Sequence, residues 1–263
     1  MNLDNNFIKK FGANLTSNVD LSKYNWFSLG GEAEFFFKPV DKIQLIEFLT
    51  EAKKKNLNTT ILGAGSNTLF RDKGVKGAVI KLGGKFSYIK LINNNIIETG
   101  AATLDRKVAN FAKDNNLTNL EFLACIPGTI GGAIIMNSGC YENDISKVLL
   151  SIQVVDKKKL IVKDIKSEDI KFLYRGSNLN ENLIILSAKF KGTIQDKSKI
   201  EKKQADLIKK KKLSQPNQIK TCGSTFKNIS EHKKAWMLIK EAQCQTFRVG
   251  DAIISPKHCN FFV

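Results

Sequence analysis

The sequence predicts an α+β protein, with a larger, two-lobed unit running to about residue 195 and a smaller α+β carboxy-terminal unit over 196–263. Three observations carry that reading. Strand-like β-branched runs are interspersed with amphipathic helices, and no internal repeat is present. Two glycine-rich loops, well separated in the chain, each follow an apolar stretch. A lysine-rich helical segment over 199–212, stopped by Pro216, stands between the two units.

The lobes are assigned to about 1–56 and 57–195. Asp41 starts a helix as its cap, with Gln44 three residues on, and Ile43, Ile46, Leu49 and Ala52 then share one face up to Lys53-Lys54-Lys55. Residues 59–62 read as a strand ending at Gly63, and 77–80 as another after the Asp72-Lys73-Gly74 turn. Residues 87–92 and 96–99 flank an asparagine turn as a hairpin. Thr103 is the expected cap of a second helix with Leu104, Val108, Phe111 and Ala112 facing inward. Strands follow at 152–156, 160–162 and 183–186. In the lysine-rich helix only Ile200, Ala205, Leu207 and Ile208 are placed to pack. Ala235, Leu238, Ile239 and Ala242 mark a last helix, before strands at 252–255 and 260–263.

Composition narrows the function classes. A chain of 263 residues with 42% apolar residues suits a soluble globular protein, with no stretch long enough for a membrane span and no signal-like amino terminus, so the cytoplasm is expected. The net charge of +17 is almost entirely lysine, the arginines being Arg71, Arg106, Arg175 and Arg248. Readers of nucleic acid favour the arginine fork, so no nucleic-acid partner is expected; the positive field serves rather to gather anionic nucleotides. Cys125, Cys140, Cys222, Cys244 and Cys259 show neither Cys-x-x-Cys spacing nor nearby histidine partners, so they read as reduced thiols, and no metal site is expected.

The chemistry resides in the loops. In the first, Gly63-Ala64-Gly65-Ser66-Asn67-Thr68, the glycines let the backbone turn its amides inward while Ser66 and Asn67 offer polar side chains to phosphate oxygens. The second, Pro127-Gly128-Thr129-Ile130-Gly131-Gly132-Ala133, adds Thr129 and a glycine pair, with Asn137 just beyond on what reads as a helix. The spacing is not that of the single-loop nicotinamide fingerprint, and paired loops of this kind point to a flavin dinucleotide.

Six motifs in order, 26–31 (Trp-Phe-Ser-Leu-Gly-Gly), 62–69, 121–141, Tyr174-Arg175, 222–228 (Cys-Gly-Ser-Thr-Phe-Lys-Asn) and 257–262, resemble the UDP-N-acetylenolpyruvoylglucosamine reductases of bacterial cell-wall synthesis. The resemblance covers nearly the whole chain. It implies the FAD-binding fold shared with vanillyl-alcohol oxidase and p-cresol methylhydroxylase (PCMH), in the more compact of the family's two types, followed by a substrate-binding domain. It implies NADPH as hydride donor, a UDP-sugar as substrate and a monomeric enzyme. It assigns Arg175 to stabilise an enolate-like intermediate and Ser224 to donate a proton. Tyr174, Lys227 and Asn228 become substrate contacts, and both glycine loops become cofactor contacts. The family normally has glycine at Cys125, often at Ala64, and proline at Ile229. It also continues for roughly thirty residues with a catalytic glutamate that no position here matches, so the 263-residue chain is expected to bind FAD and to turn over poorly. Two rival readings remain compatible with the residues: another flavin oxidase or dehydrogenase on the same fold, and a nucleotide-sugar or nucleic-acid binding module without turnover.

Some flavoproteins of this fold attach flavin through a histidine, but His232 and His258 both lie in the carboxy-terminal unit, so FAD is expected to be held non-covalently. Denaturation should release all of the flavin. Colour remaining with the precipitated protein would contradict the assignment.

Overall fold

The computed structural model describes residues 5–230 and 232–263. The first lobe contains α1 (Asn5–Phe11), β1 (Leu15–Asp20), β2 (Glu32–Phe37), α2 (Lys42–Lys54), β3 (Thr59–Ile61) and β4 (Val75–Ile80). Its sheet runs in the order β1-β2-β4-β3, antiparallel between β1 and β2 and parallel elsewhere. The sheet therefore extends to Ile80, and the lobe boundary expected at residue 56 falls inside it.

Neither β1 nor β2 is evident in the sequence pattern; β2 is buried on both faces and so lacks polar alternation. Phe35 and Phe37 enter one core, with Phe7, Phe11, Leu45 and Phe48, while Ala33 and Phe36 enter another with Leu21, Leu62 and Val79. The register shift between Ala33 and Phe35 sets two residues of β2 against three of β4, so the extra residue lies on β4 between Val75 and Ala78. Helix α2 has the expected cap, Asp41 accepting from the Gln44 amide at 3.0 Å, and the Gln44 side chain accepts in turn from the Val40 amide at 2.9 Å. Its buried face differs from the expectation: it comprises Leu45, Phe48, Leu49 and Ala52, whereas Ile43 is 69% exposed. The stacking of Phe48 on Phe37, with ring centroids 3.9 Å apart, sets the helix's rotation.

The second lobe is an antiparallel sheet of β5 (Ile89–Asn93), β6 (Ile96–Gly100), β7 (Leu149–Asp156), β8 (Ile161–Lys166) and β9 (Leu183–Lys191), in the order β8-β7-β9-β6-β5. One face packs against α3 (Asp105–Asp114), α4 (Ile130–Ile135) and the turn at Glu121–Cys125, around Ile97, Val108, Leu120, Phe122, Ile152 and Phe190. From the opposite face, Val155, Ile184 and Leu186 join the aromatic core of the first lobe. Thr103 does not cap α3. Its hydroxyl donates to the Tyr88 carbonyl at 3.0 Å, and Leu104 occupies the cap position with no side-chain bond.

Helix α5 (Lys197–Ser214) is capped by Asp196 and buries Ile200, Gln204 and Leu207, while Ala205 is exposed. Gln204 donates to Asn110 at 2.8 Å, and Lys203 pairs at 3.2 Å with Glu121, whose side chain is buried. These contacts attach α5 to the second lobe, so the smaller unit proper follows Ser214. It holds α6 (Ala235–Glu241), a short ladder of Arg248–Val249 with Ala252–Ile253, and single bridges from Phe261 to Ser224 and from Phe262 to Ile254.

The aromatic core predicts that Phe48→Ala lowers folding stability by about 3–5 kcal/mol, read as a shift in denaturant midpoint at unchanged slope. A loss under about 1 kcal/mol would mean that α2 does not hold the lobe together.

Candidate active site

The first glycine loop links β3 to β4 and rests on the chain before β2. Trp26 donates its amide to the Gly65 carbonyl at 3.1 Å, and a Cβ at Gly65 would lie 2.1 Å from the Tyr24 carbonyl oxygen. Gly65 has φ +69°, so both its conformation and its surroundings require glycine. The substituent would thus strike protein backbone, not a phosphate. Similarly, a Cβ at Gly131 would lie 3.2 Å from that of Ala101. Both glycines therefore serve close packing within the protein.

The second loop is positioned by a backbone ladder. Asp105 donates to the Gly128 carbonyl at 3.2 Å, Ile130 to that of Thr103 at 3.0 Å, and Gly131 to that of Ala101 at 2.9 Å. This places the two loops against each other. A Cβ on Gly63 would lie 2.8 Å from the Thr129 hydroxyl oxygen, and one on Gly128 would lie 3.8 Å from that of Ser66. Among the described residues, the backbone N–H groups of Gly63, Ala64, Ser66, Asn67, Gly128 and Thr129 donate to no other protein group. Lys81, which the sequence reading did not single out, donates to the Gly63 carbonyl. Burial, and then the nearby Lys38 charge, hold its pKa below the usual lysine range, so an anion beside the loop would relieve it. Loops with free amides and a cation strained by burial suit an anionic diphosphate.

Arg175 and Tyr174 form the tip of a small hairpin pairing Phe172–Leu173 with Gly176–Ser177. Asn137 fixes this hairpin: its amide donates to the Leu173 carbonyl at 3.2 Å, its carbonyl accepts from the Ser146 amide at 3.1 Å, and the residue is buried. Asn137 lies just past the end of α4, at φ +40°, and not on the helix as expected. The Arg175 guanidinium donates to the Gly139 carbonyl at 2.7 Å and lies 5.4 Å from the centre of the Tyr174 ring.

The 222–228 motif approaches from the carboxy-terminal unit. The Cys222 thiol donates to the Thr68 carbonyl at 3.3 Å, which brings this segment against the first loop. Asn260 joins it to the 257–262 motif, accepting from the Phe226 amide and donating to the Phe226 carbonyl, both at 2.9 Å. Ser224 and Lys227 are exposed. The Asn228 carbonyl accepts from the Ala235 amide at 3.1 Å and so helps to start α6. The ring Nδ1 of His258 accepts from the Asn260 amide at 3.2 Å, a structural bond.

Comparison with known proteins gives concordant findings. A family model described as an FAD binding domain matches residues 33–164, which include both loops, and one for the carboxy-terminal domain of UDP-N-acetylenolpyruvoylglucosamine reductase matches 215–263. The UDP-N-acetylenolpyruvoylglucosamine reductase of Pelagibacter ubique is 46% identical over 262 residues, covering 97% of this chain and 86% of its own. The chain belongs to the UDP-N-acetylenolpyruvoylglucosamine reductase family. The enzyme of that name from Wolbachia pipientis wMel is 41% identical over 93% of this chain and 82% of its own. The crystal structure of the Thermus caldophilus reductase superposes with a TM-score of 0.84 at 31% identity, covering 94% of this chain and 87% of that one. FAD is the cofactor of this reductase family, and the unpaired amides and facing hydroxyls of the two loops fit its diphosphate.

Gly65→Ala should therefore unfold more readily than the parent protein, by more than about 1 kcal/mol, even with FAD absent. Apoprotein melting tests this. An unchanged melting temperature would show that the loop moves freely away from Tyr24.

Proposed function

We propose that the chain reduces the enolpyruvyl ether of UDP-N-acetylglucosamine to the lactyl ether, giving UDP-N-acetylmuramate for peptidoglycan synthesis, with NADPH as electron donor. The observation that carries this reading is the meeting of two glycine loops with unpaired amides, within a chain whose carboxy-terminal domain matches the same reductase family. Bound FAD supplies the hydride relay between NADPH and the terminal carbon of the substrate. The nucleotide sugar and NADPH are cytoplasmic metabolites, and we place the protein there.

In this reading the residues of both loops, 63–68 and 127–133, hold the dinucleotide. Arg175 uses one terminal nitrogen on Gly139, which aims its fork and leaves other donors for the enolate oxygen of the substrate. Its backbone, at φ +55°, is held in a conformation uncommon for arginine by the hairpin and Asn137. Ser224 gives its hydroxyl proton to the substrate carbon next to the one that accepts hydride. A serine is a weak acid, so the basicity of that carbanion drives the transfer. Exposure to solvent lets the serine regain its proton from water. Tyr174 and Lys227 offer a ring and an ammonium to the UDP portion, and Asn228 retains its amide NH₂ for the substrate while its carbonyl holds Ala235.

Ser224→Ala should leave flavin reduction by NADPH nearly intact and slow reoxidation by the enolpyruvyl substrate by about a hundred-fold or more. Stopped-flow absorbance separates the two steps, and equal slowing of both would remove the proton-donor role. Arg175→Lys should also slow reoxidation despite the retained charge, because lysine lacks the planar fork.

A further inference from the structure

Behind Arg175 lies a pair of thiols that the proposed reaction does not use. Residues Gly139–Cys140, which form a short hairpin with Asn143–Asp144, pack directly against the turn at Glu121–Cys125. The Cys140 thiol shares its hydrogen between the Phe122 carbonyl oxygen of that turn, 3.5 Å away, and the sulfur of Cys125. Both cysteines are free. Two cations bracket them: Lys211 donates to the Cys125 carbonyl, and the Arg175 guanidinium donates at 2.7 Å to the carbonyl of Gly139, the residue before Cys140. The other three thiols are placed differently, with Cys222, Cys244 and Cys259 donating to the backbone carbonyls of Thr68, Ala242 and Trp236.

We propose that Cys125 and Cys140 are a redox-modification site, converted by hydrogen peroxide to an intramolecular disulfide that shifts Gly139 and so misplaces the Arg175 guanidinium. The Cys125 thiolate attacks one peroxide oxygen, the O–O bond breaks and hydroxide leaves, so that Cys125 becomes a sulfenic acid. The Cys140 sulfur then attacks the sulfur of that acid. The S–O bond breaks, and the departing hydroxide takes up the thiol proton as water. In sum, two thiols and one peroxide give one disulfide and two waters, with two electrons passing from sulfur to oxygen. The hydrogen bond from Cys140 holds the Cys125 thiol below the usual thiol range, with burial opposing and the Lys211 charge assisting, which suits Cys125 to attack first. Cys125 is buried and Cys140 partly exposed, so peroxide reaches the pair from the Cys140 side. A sulfur–sulfur bond is about 2.0 Å long, well inside any hydrogen-bonded separation of two thiols. Forming it must therefore draw Gly139–Cys140 toward the turn, and the Gly139 carbonyl moves with them. The effect on catalysis rests on the enolate role given to Arg175 above; disulfide formation does not.

Trypsin leaves both cysteines in one peptide, 114–147, which contains no other cysteine. The FAD-loaded protein is treated with hydrogen peroxide, alkylated with iodoacetamide, digested and weighed by mass spectrometry. The peptide should be lighter by two hydrogens and unalkylated, and dithiothreitol should restore alkylation at both positions. In Cys140→Ala the reaction should stop at a Cys125 sulfenic acid, trapped by dimedone. Stopped-flow reoxidation by the enolpyruvyl substrate should slow by about a hundred-fold in the oxidised parent, while Cys140→Ala and Cys125→Ala keep their untreated rates. Alkylation of both cysteines after a peroxide treatment that consumes the exposed Cys244 would overturn the proposal. A complete disulfide with unchanged reoxidation would overturn the link to Arg175. An untreated parent that the enolpyruvyl substrate fails to reoxidise would overturn instead the function proposed above, with the peptide mass still deciding the dithiol.

Discussion

The site depends on a short backbone ladder in which residues 101–105 run antiparallel to 128–131. It delivers the second glycine loop to the first and sets the starting direction of α4. From there the geometry propagates by covalent connection: α4 ends beside Asn137, Asn137 holds the hairpin, and the hairpin presents Arg175. Ser177 adds a tie between that hairpin and the Ile135 carbonyl at 3.0 Å. The part proposed to bind the cofactor and the part proposed to stabilise the enolate are thus two ends of one short helix.

The carboxy-terminal unit joins this frame by lighter means. Cys222 leans on the first loop, Lys257 donates to the last turn of α5 at the Lys212 carbonyl, 2.6 Å away, and Asn260 pairs the unit's two motifs with each other. Few of its residues are buried, Ala235, Cys259, Asn260 and Phe261 among them. An attachment with so little buried surface resembles the interfaces across which domains move relative to one another.

Much of the molecule was legible in the residues because local chemistry wrote it: the Asp41 cap, the hairpin around the asparagine turn at 93–95, and the α+β order of elements. The glycine loops could be read for the same reason, although why Gly65 must be glycine could not, since Tyr24 meets it only in the fold. Other features depend on tertiary partners that no pattern contains. A strand covered on both faces, like β2, has no alternation to detect. The rotation of α2 follows the Phe37 ring rather than the even spacing of isoleucines. Asp105 reads as an ordinary first-turn acid, and its isolation becomes visible only once Gly128 lies over it.

The shared aromatic core also bears on how the chain acquires its shape. Phe7 and Phe11 precede the rest of the aromatic core in the chain, yet the same core also contains Ile80, Val155, Ile184 and Leu186. The amino-terminal segment must therefore wait until most of the second sheet has been synthesised before its rings are fully enclosed. Such sequence-distant closure slows folding and prolongs the exposure of sticky surface on the nascent chain. The first lobe is consequently a poor candidate for an autonomous folding unit, and the two lobes should gain their final packing in one late, concerted step.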